Sequence, residues 1–226
     1  MDVIMKHTYF RQYIDDLNGV FTDSRAEHSK ILETLKAAEA KAEKARNDRS
    51  LSQERKQIAE LELREAKDLF KKSMSELEKK TDSTIRAIRA DLEADSAEYL
   101  SIDTSKVDAV TLNLINSGIM NANDYRKLAN DNWNNATVLR LIASKFKDAG
   151  ENKDMRVICE RANRFCNPTA RMQVFDGAVD LIRRTLPTDG TDGNRMAQLW
   201  TDEGGFDSYS STMAQYDQFS DSFQGV

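Results

Sequence analysis

The chain has 226 residues, a formal net charge of −5, 31% charged and 8% aromatic side chains and a mean hydropathy of −0.66. With two prolines among so many charged residues, this composition argues for a helix-rich protein and against a β-fold. No apolar run approaches the ~18 residues of a membrane span, and Met1–His7 lacks the apolar middle of a signal peptide, so a cytoplasmic chain with no membrane partner is expected.

Near the N-terminus, Tyr9, Phe10, Tyr13, Ile14 and Leu17 recur at helical spacing, and Gly19 stands where a left-handed helix end would fall. This predicts a short amphipathic helix over residues 3–18, within a first segment of residues 1–23. So many aromatics need a partner surface, either the chain's own body or another protein.

Ser24 and Glu27 then form a capping-box pattern that would open a long helical segment, residues 24–102. Ile31, Leu35, Ala38, Ala42, Ala45, Arg49, Ser52, Lys56, Ala59, Leu63, Ala66 and Phe70 alternate four- and three-residue steps, the register of a coiled coil. Beyond Phe70 the stripe continues as Met74, Leu77, Thr81, Ile85, Ile88 and Leu92 with extra four-residue steps, which fits a straighter helix packed on something. A continuous helix over residues 24–99 would reach about 110 Å. A turn at Asn47–Ser50, with Ser50 and Gln53 as a second capping box, would instead fold it into an antiparallel hairpin. No glycine or proline marks that turn, which favours continuity. Because an alanine-rich seam is weak alone, self-association through Ile31, Leu35, Ala38, Ala42, Leu63, Phe70, Leu77, Ile85, Ile88 and Leu92 is expected.

Residues 103–186 change character, with less charge, more asparagine and closely spaced start and stop signals. Asp103 or Thr104, Asn121, Asn134 or Asn135, Asn152 and Asn167–Pro168 each open one of five expected helices, and Gly118, Gly150 and Pro187 close three of them. The apolar residues of Ala136–Ala149 cover more than one face, which puts that helix at the centre of a small bundle. Trp133 is expected to cover a core edge. Arg156, Arg161, Arg164, Arg171, Arg183 and Arg184 make the last two helices basic, through scattered ion pairing or toward an anionic partner, either nucleic acid or the acidic tail of this chain.

Residues 187–226 carry one basic and seven acidic side chains. Trp200, Phe206, Tyr209, Tyr216, Phe219 and Phe223 are interleaved there with Asp, Ser and Gln, a disordered composition with aromatic anchors for a partner protein. A short helix at Arg195–Trp200 is conceivable within it. Asp189–Asn194 has an acidic-glycine pattern without the ligand spacing of a calcium loop.

Catalytic, cofactor and metal constellations are not expected. His7 and His28 are far in sequence from Cys159 and Cys166, and those cysteines, about 10 Å apart along one helix, are too distant for a disulfide and suit a reducing compartment.

The expected fold is therefore all-α: a long coiled-coil-like helix or helical hairpin, a small helical bundle and a disordered acidic tail. That layout, with Thr137–Ala143 in the small domain, resembles bacteriophage structural and scaffolding proteins. The resemblance implies a non-enzymatic, homo-oligomeric assembly protein in the host cytoplasm or virion, binding another protein through its termini. Two alternatives stand beside it. One is an inhibitor whose acidic aromatic tail fills a basic groove, and the other is nucleic-acid binding by the arginine-rich helices.

Overall fold

The computed structural model describes residues 9–103, 105, 107–133, 135–185 and 204–217. Among these the chain is all-helical, with no strand. The helices are α1 (Gln12–Asn47), α2 (Gln53–Tyr99), α3 (Ala109–Ser117), α4 (Ala122–Asp131), α5 (Ala136–Ser144), α6 (Lys153–Phe165), α7 (Pro168–Thr185) and α8 (Gly205–Ala214). No helix among the described residues is long and apolar enough to cross a membrane. The chain divides into two compact units: unit 1 comprises residues 1–15, 88–178 and 206–226, and unit 2 comprises residues 16–87 and 179–205.

In unit 2, α1 and α2 run antiparallel. Ion pairs link Glu27 to Lys80 at 2.8 Å, Glu39 to Lys67 at 4.0 Å and Arg46 to Glu60, while Leu32, Phe70, Met74 and Leu77 form a buried cluster flanked by Ile31 and Leu35. Residue numbers rise along one helix as their partners' numbers fall along the other, the signature of a hairpin.

The continuous helix favoured by sequence is thus replaced by a turn at residues 48–52. The turn needs no glycine, because the described non-glycine residues all keep negative φ and polar side chains close it. Asp48 Oδ1 accepts the Ser50 N–H at 2.8 Å and its hydroxyl at 2.6 Å, and Ser52, not Ser50, accepts the Arg55 N–H at the start of α2.

Two further local expectations change. Gly19 does not end a helix and Ser24 does not open one, since α1 continues through both. The reason is packing: Phe10, Ile14, Leu17, Phe21, Ser24, His28 and Leu32 are buried at unbroken three- and four-residue steps, with Tyr13 buried beside Ile14. The Ser24 hydroxyl is spent on Thr81 Oγ1, 2.8 Å away. Within the segment expected to be disordered, residues 205–214 form α8.

In unit 1, the asparagine caps behave as expected. Asn121 and Asp124 form a capping box on α4, Asn135 and Asn152 cap α5 and α6, and Asn167 accepts the Thr169 N–H ahead of α7. α3 starts later than expected, capped by Asp108, and ends at Gly118, whose φ of 69° suits glycine. α5 stops at Ser144, with turns to Gly150. Val138, Leu139 and Ile142 of α5 lie at the centre of a core completed by Tyr125, Ile158, Cys159 and Phe165, with Trp133 packed at its edge.

Spin labels at Glu39→Cys and Lys67→Cys test the hairpin. A continuous helix would hold the two backbones roughly 42 Å apart at 1.5 Å per residue; double electron–electron resonance is expected to give a much shorter distance.

Candidate interaction surface

α7 carries Arg171, Phe175, Ala178 and Ile182 at four- and three-residue steps, and all four are buried. An arginine therefore occupies an apolar seam position. Arg171 has 0% exposure, and none of its guanidinium nitrogens has a hydrogen-bond partner. Aromatic faces surround it: its Cζ lies 4.5 Å from the ring centroid of Phe10, 4.9 Å from Tyr216, 5.4 Å from Phe165 and 5.5 Å from Tyr99. The rings brace one another, with Phe10 edge-on to Tyr99 at 5.4 Å and Phe165 at 6.4 Å from Tyr216. Burial pushes the guanidinium pKa down to about 10, which leaves it cationic at neutral pH.

Next to this cage the start of α1 meets the end of the described chain. The Phe10 N–H donates to Asp217 Oδ1, the Arg11 N–H reaches Oδ2 at 3.5 Å, and Arg11 Nε lies 3.8 Å from the same carboxylate. Asp217 thus caps α1 from a distant part of the sequence, satisfying amides that a helix N-terminus leaves free. Burial raises its carboxyl pKa, opposed by those N–H donors and by Arg11 and Arg171. α8 lies on Gly177 of α7, where an added Cβ would come within 2.9 Å of Tyr209 Cε1.

Among the described residues, most of the expected contact residues are therefore internal. Phe10 and Tyr13 are buried, and the Tyr13 hydroxyl donates to Asp95, while Tyr9 stays 42% exposed. Phe206 and Tyr216 are buried in unit 1 and Tyr209 is half-buried. Trp200, Phe219, Phe223, Asp189–Asn194 and the segment Arg195–Trp200 lie outside the described residues. Of the expected association residues, Ala42, Leu63, Phe70, Leu77, Ile85, Ile88 and Leu92 are buried, and Ile31, Leu35 and Ala38 are half-buried. Cys159 and Cys166 are buried free thiols that donate to the carbonyls of Ile142 and Ala136, with pKa values pushed up by burial to about 11. They are core residues rather than nucleophiles at neutral pH.

Among the described residues, an apolar surface remains on α3, which the sequence placed among the core helices. Ile115 alone is buried; Val110 is 67% exposed, and Leu112 and Leu114 are also exposed. Val110 and Leu114, four residues apart, share a face, and exposed Ile102 and Ile119 bracket the helix in sequence. The helix carries no charged residue. At its C-terminal end opens a cleft of about 310 Å³, lined in part by Ile115, Met120, Tyr125, Met155, Lys145 and Asp148. In unit 2, α2 also exposes Ile58, Leu61 and Leu69, but these are interspersed with Glu60, Glu62, Arg64, Glu65, Lys67 and Asp68, the pattern of a solvated face.

Among known proteins, no family model, no curated protein and no solved structure matches this chain.

Two outcomes test the cage. Arg171→Lys replaces a flat guanidinium by an ammonium that cannot stack, and is expected to cost about 2–4 kcal/mol by denaturant unfolding, more than Arg171→Met, which removes the charge and keeps the stem. For Asp217 the folded pKa is raised, so the native state binds more protons than the unfolded state just above the ordinary aspartate range, and this residue's contribution falls as pH rises there. Wild type is therefore expected to gain stability over Asp217→Asn on mild acidification, measured as the difference in thermal midpoints across pH.

Proposed function

We propose that the chain is a non-enzymatic assembly protein that associates with copies of itself through the outer face of α3. One observation carries this reading: a nine-residue helix without a charged side chain leaves Val110 and Leu114 in solvent. Exposed apolar residues in a contiguous uncharged stretch favour association over solvation.

A second copy is the occupant that suits this face. A two-fold contact sets a surface against itself, so any charge on the face would meet its own like. The neutral sequence Ala109–Ser117 avoids that cost. One short helix face is well below the ~800 Å² per partner of a standard interface, so the contact would extend to Ile102, Ile119 and the cleft beside α3, and association should depend on concentration. The resemblance of the sequence's layout to bacteriophage scaffolding proteins extends the proposal to virion assembly.

The inhibitor alternative draws less support, because Phe206 and Tyr216, two of the tail aromatics it would use, are spent inside unit 1. Arg171, the member of the basic set that nucleic-acid binding would share, is buried.

Light scattering coupled to size exclusion tests the proposal over a concentration range. Wild type is expected to rise above monomer mass with concentration, and Val110→Asp/Leu114→Asp to remain monomeric with unchanged helical circular dichroism. Substitutions at exposed sites cost the fold little, within about 0.5 kcal/mol each. A wild-type chain that stays monomeric throughout would refute the reading.

A further inference from the structure

The C-terminal segment sits on unit 1 as a ligand sits on a receptor. Residues 206–217 bury Phe206, Met213 and Tyr216 there. Their aromatic and acidic groups meet complementary features one by one. The Tyr216 ring lies on the Arg171 guanidinium, with 4.9 Å from Cζ to the centroid, and the Asp217 carboxylate takes the amides of Phe10 and Arg11. Tyr209 fits the space left by Gly177, and the Ser210 hydroxyl lies 3.5 Å from Asp15 Oδ1. Arg171 is the strongest sign of a built site, because a fully buried cation without a hydrogen bond depends on the ring that covers it.

The segment is also separate in sequence from the helix it lies on. Between Thr185 and Gly205 stand residues 186–204, which include Pro187, Gly190, Gly193 and Gly204.

We propose that this site is a receptor for an aromatic-acidic helical segment, and that residues 206–217 of a second copy can fill it in exchange for the chain's own. The products are segment-exchanged dimers, formed independently of the α3 face. Because the chain's own segment competes for the same site, exchange belongs to high local concentration, as in a growing assembly.

The experiment uses full-length chains in the Val110→Asp/Leu114→Asp background, so that α3 contacts do not contribute. One chain carries Asp15→Cys and the other Ser210→Cys. They are unfolded together, refolded at about 0.5 mM, a high concentration that favours contacts between chains, and oxidised. Mixed disulfide dimers are expected to exceed either homodimer. Gly177→Leu in the Asp15→Cys chain should reduce them at least about fivefold, because the overpacked site no longer seats Tyr209. The same substitution in the Ser210→Cys chain should not lower them, because it frees that chain's own segment for exchange, and this also shows that the variant folds. A single chain bearing both cysteines should close internally at low concentration. The proposal is overturned if no mixed dimer forms, if its yield does not depend on which chain carries Gly177→Leu, or if the doubly substituted chain fails to close.

Discussion

Arg171 is the constraint on which unit 1 depends. Removing a cation from water costs several kcal/mol, and here no carboxylate or carbonyl hydrogen-bonds to the guanidinium in return. What offsets the cost is a set of aromatic faces, each worth about 2 kcal/mol or more when desolvated, and the Asp217 carboxylate also favours the charged form. Those rings come from the start of α1, the last residue of α2, the last residue of α6 and the chain just after α8. All four rings converge on this cation, so one side chain ties together segments that are remote in sequence. A lysine could not serve, since its compact ammonium needs hydration or hydrogen bonds that this cage lacks.

Much of unit 1 was legible because its signals are local. Asn121, Asn135 and Asn152 cap the helices they precede, and Gly118 ends α3, since a side-chain oxygen or a left-handed glycine acts within one turn of its own backbone. The buried centre at Val138, Leu139 and Ile142 followed from periodicity alone. The hairpin is a different case. A heptad stripe requires an apolar partner and is indifferent to whether that partner is another chain or the same chain folded back. The deciding residues, Asp48, Ser50 and Ser52, turn the backbone with side-chain hydrogen bonds at negative φ, so they carry none of the glycine or proline marks by which turns are usually read. Gly19 misled in the opposite sense: packing of the residues on either side of it holds α1 straight through.

The contact surfaces were least legible, because burial is a tertiary property. Tyr9, Phe10 and Tyr13 at one end read as a face for the chain's own body or for another protein, and Phe206, Tyr209 and Tyr216 at the other as anchors for a partner. Most of these side chains are buried instead, and Phe10 and Tyr216 meet the same guanidinium. A signal for this was present: Arg171 falls in register with Phe175, Ala178 and Ile182, where a solvated arginine would not belong. Conversely, α3 looked like a core helix because it is apolar, yet only Ile115 faces inward. Composition gives the hydrophobicity of a short helix but not the amount of surface available to cover it.

Hydrogen exchange on Arg171→Lys tests this account most directly, because it reads each segment separately. If Arg171 joins the ends of the chain, amides of residues 9–14 and 206–217 should lose protection together, while those of residues 31–35 and 70–77 in the α1–α2 hairpin keep theirs. Uniform loss across the whole chain, or loss at one terminus without the other, would contradict it.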